Sequence, residues 1–462
     1  MERIPKENVE NILPLTPFQS TLLLSYLAEP NGSHYKEITR YRLQGKMTIA
    51  QIADAINKVV SEHEMLRTIF RWENLREPVQ IVLKEVSIPI EQYDIQETEK
   101  ALQDAKVEEL EQKSFEIPLD ICKNPLKFII FQLEEEVYEV TIINHHILFD
   151  GWSNSILLED IYQTLCQLIE NRPVYYPKKA QLEEYLQFLK RQDKREDLDF
   201  WETYLEGFRK KTILPKIHRY AAFQNQERLL THQEDSALYD EVRTYAANLS
   251  VSYAAVFYAA WGILYYKENG QRDIVFGTPV DGRPPEVPGI NHTIGLFMNT
   301  IPLRITIEES ETIETYIRRV YSNMLKIREH QYIPYAQIAA KRQVKPTGTL
   351  FDSIIVIQNY PVDTSLLAGK DAVTMSLRTR KITTGARLTI EIRTFGGFFI
   401  DISYQEQYYK EESIKKLVNE YKEVLEDMMQ KKNSTLSEIL NRNQDNGCWN
   451  MLQVGGECYD DF

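Results

Sequence analysis

Amphipathic helical segments and strand segments follow one another twice along this chain, once on each side of a proline-bearing stretch at 171–179, and that order restricts the fold to the α/β class. In the first half, residues 16–28 and 49–64 read as helices and residues 35–43, 78–86, 126–133 and 137–144 as strands. A helix over 153–170 follows, with Leu158, Ile161, Leu165 and Leu168 along one face. The second half offers helices at 253–267, 312–330 and 411–430 and strands at 273–279, 296–307, 351–359, 388–394 and 398–404, with Gly396-Gly397 as a hairpin turn between the last two. A chain of 462 residues exceeds the size at which one hydrophobic core keeps growing. Two lobes are therefore expected, residues 1–175 and 176–440, with Pro173 and Pro177 marking the crossing and the aperiodic stretch 441–462 as a linker or frayed tail.

Composition acts as a filter on function. A net charge of −14 argues against a nucleic-acid groove, because phosphate binding needs a concentrated basic surface. The apolar runs are too short to span a bilayer and the start has no signal-type stretch, so the expected location is cytoplasmic. The four cysteines, Cys122, Cys166, Cys448 and Cys458, lack zinc spacing and are expected as free thiols, two of them buried. No bound metal is expected.

The most informative segment runs from Thr141 to Ser153 and contains His145-His146, Asp150-Gly151 and Trp152. Strand alternation sets Ile142, Asn144 and His146 on one face and Thr141, Ile143 and His145 on the other, so only one histidine can face a cleft. The strand then turns through Asp150-Gly151 into a helix with Ser153 as its expected cap, which places the site where backbone N–H groups become available. A neutral imidazole there accepts a proton from an attacking amine or hydroxyl near neutral pH. Asp150 can be read as a general acid, a metal ligand or the partner of an arginine. With no further histidine or carboxylate nearby to complete a metal shell, the arginine reading is preferred. Gly151 lets a substrate approach the backbone. With eight histidines in the chain, the pattern His-His-x-x-x-Asp-Gly arises by chance in roughly one in a thousand such sequences.

This segment resembles the active-site motif of nonribosomal peptide synthetase condensation domains, within the chloramphenicol-acetyltransferase-like superfamily. Other segments resemble that family's motifs in the same order: Leu13 to Gln19, Glu62 to Phe70, Tyr185 to Asp193 with Phe200 to Leu205, Ile294 to Arg304, His330 to Tyr335, and Phe351-Asp352 to Asn359-Tyr360-Pro361. The resemblance spans about residues 11–438. It implies two acetyltransferase-like α/β sandwich lobes forming a V-shaped pseudo-dimer with a central tunnel. It also implies that His146 is the catalytic histidine and His145 structural, and that Asp150 forms a salt bridge with Arg67 by preference or Arg283 as second choice. Trp152, Asn299 and Thr300 are expected to line the tunnel. Under the salt-bridge reading, asparagine at position 150 is expected to keep the turn in part.

The implied reaction is amide-bond formation between a carrier-bound donor thioester and the amine of a carrier-bound acceptor. No cofactor is bound directly, because the substrates ride on the phosphopantetheine arms of peptidyl carrier domains. An adenylation domain is the expected neighbour, and the chain is expected to be a monomer. The order Gly151-Trp152-Ser153 departs from epimerisation domains and the intact histidine pair from heterocyclisation domains, and the segments Gly151-Trp152-Ser153, Gly295 to Thr300 and Asn359-Tyr360-Pro361 together look most like domains joining an L-donor to an L-acceptor. Two competing readings are a free-standing acyltransferase with a soluble amine or alcohol acceptor and an inactive carrier-docking module. Intact His146, Asp150 and Gly151 weigh against the latter.

Overall fold

The computed structural model describes residues 4–28, 35–208, 211–212, 214, 227–341, 350–358, 373–382, 386–394 and 397–440. The expected Asn359-Tyr360-Pro361 segment, Gly396, and the 441–462 tail with Cys448 and Cys458 lie outside these residues. In chain order the elements are β1 (Val9–Pro14), α1 (Pro17–Ala28), β2 (Lys36–Gly45), α2 (Ile49–Glu62), β3 (Thr68–Arg71), β4 (Val79–Leu83), β5 (Ile90–Asp94), α3 (Lys100–Glu116), β6 (Leu126–Glu134), β7 (Val137–His145), α4 (Gly151–Ile169), α5 (Leu182–Arg191) and α6 (Lys194–Tyr204). They continue with β8 (Glu227–Glu234), α7 (Ser236–Asn248), α8 (Tyr253–Asn269), β9 (Asp273–Val280), β10 (Asn299–Thr306), α9 (Ile313–Glu329), α10 (Tyr335–Lys341), β11 (Ser353–Gln358), β12 (Val373–Ile382), β13 (Leu388–Arg393), β14 (Phe398–Gln405), α11 (Glu411–Gln430) and α12 (Leu436–Leu440).

Two compact units result. The first takes its described residues from Met1–Gln192, Asp281–Met298 and Tyr360–Gly385, so two segments of the second half of the sequence belong to it. Its main sheet has the order β12-β2-β7-β6-β5, and a smaller sheet has the order β1-β4-β3. Strand alternation gives the main sheet two apolar faces. Val140 and Ile142 of β7 join Ile52, Ile56 and Val59 of α2 and Leu157 and Leu165 of α4 in one core. Ile143 of β7 and Ile129 and Phe131 of β6 meet Val107 and Phe115, which α3 carries, on the other. Helix α2 starts at a capping box in which the Thr48 side chain and Gln51 satisfy each other's backbone N–H groups.

The second unit takes its described residues from Asp193–Val280, Asn299–Asn359 and Ala386–Phe462. Its sheet has the order β10-β9-β11-β13-β14-β8. Helix α8 is buried continuously from Ala255 to Tyr265 and forms the middle of that core. A Cβ at Gly262 would lie 2.4 Å from the Tyr316 hydroxyl, so the glycine is what lets α9 close on α8. No single helix among the described residues is long and apolar enough to cross a membrane; the bent pair α7–α8 reaches that composition through its buried core helix. Cys122 and Cys166 are buried thiols outside any disulfide, as the sequence reading expected.

Candidate active site

The ladder of β7 ends at His145, which pairs with Lys36, so His146 is already in the turn and alternation does not decide where it points. The turn itself does. Its N–H donates to the Tyr35 carbonyl at 2.7 Å, and its Nδ1 lies 2.6 Å from the Phe149 carbonyl oxygen. A carbonyl only accepts, so Nδ1 carries the proton and Nε2 of the neutral ring keeps its lone pair. The intervening Ile147, Leu148 and Phe149 are fully buried and act as the anchor, while the His146 side chain is half-buried. His145 is wired the other way. Its Nδ1 accepts the Ile147 N–H at 3.1 Å, so its proton is on Nε2, and its ring meets Tyr26 edge-on at 5.6 Å. Burial, helped by nearby His146 and Lys36, pushes its pKa down to about 3 and keeps it neutral.

Asp150 rather than Ser153 caps α4: its Oδ1 accepts the Ser153 N–H at 2.9 Å. Its Oδ2 accepts the Phe297 and Met298 N–H groups at 3.0 and 3.2 Å, and Arg283 Nη2 reaches Oδ1 at 3.5 Å. All four partners are donors, which uses the full acceptor capacity of a carboxylate and leaves none for proton transfer. The Arg67 expectation is thereby corrected. Arg67 follows α2 on the turn into β3, and its guanidinium goes to Glu10 and the Leu83 carbonyl at the edge of the smaller sheet. Arg283 instead bridges the Ile290 and Thr293 carbonyls, Asp150 and the Ser153 hydroxyl, the last at 2.7 Å, and lies 4.5 Å from the Phe297 ring centroid. Ser153 is saturated too: its hydroxyl donates to the Gly295 carbonyl at 2.8 Å and accepts from the Gly295 N–H at 3.0 Å. Gly282 makes this possible, since it sits at φ +62° and a Cβ there would lie 1.9 Å from the Phe297 carbonyl oxygen.

Of the remaining expected residues, Gly151 is buried as the first residue of α4, and Trp152 donates Nε1–H to the Asn291 carbonyl at 3.3 Å. Asn299 and Thr300 begin β10 in the second unit. The Asn299 amide is committed to the Gln331 and Ile333 carbonyls at 2.8 and 2.7 Å, which fastens the His330–Tyr335 segment. Two supporting residues went unassigned in the sequence reading. Gln19 of the first motif is fully buried, and its Nε2 donates to the Ile147 carbonyl at 3.3 Å and to Gln80 Oε1 at 3.0 Å. His63 of the second motif meets Asp160 of α4 at 2.7 Å, and burial lowers its pKa. A buried glutamine and a buried histidine inside the motifs were the available signals. Among the described residues no cluster of histidine, cysteine and carboxylates could hold a metal ion.

A family model described as "Condensation domain" matches residues 9–446. The chain is 29% identical over 364 residues to tyrocidine synthase 2 of Brevibacillus parabrevis, covering 78% of this chain and 10% of that protein. It is 30% identical over 370 residues to surfactin synthase subunit 3 of Bacillus subtilis (strain 168), covering 78% of this chain and 28% of that protein. The chain thus spans less than a third of the length of these relatives. Among solved structures, the first condensation domain of the calcium-dependent antibiotic synthetase, in complex with a substrate analogue, matches with a TM-score of 0.78 at 18% identity, over 93% of this chain and 99% of that one. A four-domain nonribosomal peptide synthetase bound to AMP and glycine matches with a TM-score of 0.79 at 17% identity, over 95% of this chain and 34% of that one. The fold is that of these condensation domains, and since the family model runs from the first strand through the last helix, the chain belongs to the condensation-domain family.

Proposed function

We propose that the chain joins a donor acyl or peptidyl thioester to the amine of an acceptor aminoacyl thioester, both held on the phosphopantetheine arms of carrier domains, with an L-donor and an L-acceptor. The observation that carries this reading is the 2.6 Å approach of His146 Nδ1 to the Phe149 carbonyl oxygen. The Nδ1–H is spent on the Phe149 carbonyl, so Nε2 presents a lone pair from a rigid turn. The amine nitrogen attacks the thioester carbon while its N–H points at Nε2. A C–N bond forms, the C–S bond breaks, and the proton leaves with the carrier thiolate, relayed through Nε2 or placed by it. The first helical N–H groups of α4, at Gly151 and Trp152, have no intrahelical acceptor and face the developing oxyanion in this scheme. Asp150 and Arg283 hold the turn and take no proton. His145, Arg283 and Ser153 support it; Trp152, Asn299 and Thr300 remain proposed substrate contacts.

The carrier partners and an adjacent adenylation domain are part of this proposal, as are a monomeric state, a cytoplasmic setting and a linker role for 441–462. The test is incubation with an aminoacyl-loaded donor carrier and an aminoacyl-loaded acceptor carrier, read by intact-protein mass spectrometry. Transfer of the donor group onto the acceptor carrier is the expected result. Transfer only to a free amine or alcohol would replace this reading with that of a soluble-acceptor acyltransferase, and no transfer would leave a docking module.

A further inference from the structure

Beside His146 the sheet carries polar side chains where a core-facing surface is normally apolar. Glu37, Thr39 and Tyr41 of β2 share one face with Leu43, which belongs to the core under α2 and α4. Glu37 is the direct cross-strand neighbour of Asn144, two residues before His146, and Thr39 is the neighbour of Arg380 on β12. The Asn154 amide of α4 donates to the Tyr41 hydroxyl at 3.3 Å, which sets the first turns of α4 over this face. Glu37, Thr39 and Asn144 are each 1% exposed. Even so, Glu37 Oε2, Thr39 Oγ1 and Asn144 Nδ2 have no hydrogen-bond partner among the described residues.

Unmet polar atoms at this depth each cost on the order of 1–3 kcal/mol, and three on adjacent register positions call for a guest rather than three separate accidents. The guest's chemistry follows from the atoms. Arg380 Nε holds the other Glu37 oxygen at 3.1 Å, so the carboxylate's charge is already opposed and a second cation is disfavoured. What remains is a carboxylate acceptor and a hydroxyl, able to accept or donate, on β2 and a donor amide on β7. A neutral group with an N–H on one side and a C=O on the other meets both. We infer that this polar face beside His146 binds an amide group of the donor, and so selects donors that carry one over plain acyl chains. This rests on the condensation reading above and narrows its substrate class.

The experiment compares three donor thioesters of N-acetylcysteamine against one fixed aminoacyl-carrier acceptor: N-acetylalanyl, its O-acetyllactyl ester analogue, and 4-carbamoylbutanoyl. Wild-type protein should use N-acetylalanyl or 4-carbamoylbutanoyl at least roughly tenfold better in kcat/KM than the ester, because a site built to bond an N–H strands its acceptor when the N–H is missing. Preference for the first places the amide in the donor backbone, and preference for the second places it in the donor side chain. Thr39→Val and Asn144→Leu, checked for unchanged thermal melting, should bring the ratio towards one. Equal use of amide and ester by the wild-type protein overturns the inference whatever the variants do, and so does an undiminished ratio in both variants. Condensation of none of the three donors, with carrier-bound donors also inert, would instead count against the condensation reading.

Discussion

At residue scale, the two neighbouring histidines differ by which nitrogen is occupied, and that difference is testable without a structure of the complex. Among the described residues His146 makes one side-chain bond, to the Phe149 carbonyl, and it is half-buried, so His146→Ala should leave the melting temperature near that of wild type while lowering condensation by about 10²–10⁴-fold. His145→Ala strands the Ile147 N–H and should cost about 1–3 kcal/mol of stability, whereas His145→Asn keeps an acceptor near Nδ1. Thermal melts alongside single-turnover assays separate the two. A His145 variant that stays folded but inactive, beside a fully active His146 variant, would reverse the assignment. Asp150 departs from the expectation that asparagine there keeps the turn. Its partners are Ser153 N–H, Phe297 N–H, Met298 N–H and Arg283, so an NH₂ group in place of either oxygen faces a donor. Both Asp150→Asn and Asp150→Ala should therefore destabilise, the latter by about 3–5 kcal/mol because Arg283 is left as an unpaired buried charge. Native melting with lost rate in both would restore the proton-transfer reading.

At the scale of elements, α4 and the 282–298 loop behave as one piece. Asp150 and Ser153 supply the helix side of the joint, and Gly282, Arg283 and Gly295 supply the loop side. Gly282→Ala would force a Cβ into the Phe297 carbonyl oxygen and at the same time disfavour φ +62°. The expected outcome is a drop in melting temperature and faster amide exchange at Phe297 and Met298, read by hydrogen-exchange mass spectrometry; native exchange there would show that the loop is held otherwise. How legible these elements were depended on where their partners lie. The β7-turn-α4 segment was readable because its apolar spacing and its Asp-Gly turn are local. Helix α3 has helical spacing in its buried positions Gln103, Val107, Glu111 and Ser114, but most of those residues are polar, so no apolar stripe announces it. Strand β12 carries Arg378 and Arg380, which read as solvated charges until Glu139 at 3.2 Å and Glu37 at 3.1 Å come in from residues more than 200 positions away. The Arg67 expectation failed for the same reason: the Glu10 carboxylate that takes its charge is supplied by β1.

At the scale of the whole molecule, the two units should respond differently to mild acid. His63 and His145 both lie in the first unit, and both are held below the usual histidine value, chiefly by burial. For His145 the folded pKa is about 3 against 6.5 when unfolded, so on acidification the unfolded chain takes up the proton first. Stability from this group is complete above about pH 6.5 and is lost progressively as the pH falls from there towards 3. By pH 5 the loss from His145 alone should reach about 2 kcal/mol. His63 adds in the same direction. Between about pH 6.5 and 5 ordinary carboxylates stay largely ionised, so the histidines contribute most in that part of the window. Hydrogen-exchange mass spectrometry between pH 7 and 5, corrected for intrinsic exchange rates, should show β7 and α4 losing protection while β13 and β14 change little. In His145→Asn, whose side chain does not titrate, the slope in β7 should flatten and leave the His63 contribution. Equal loss in both units, or an unchanged slope in the His145→Asn protein, would mean that the buried imidazole does not set the acid sensitivity of the first unit.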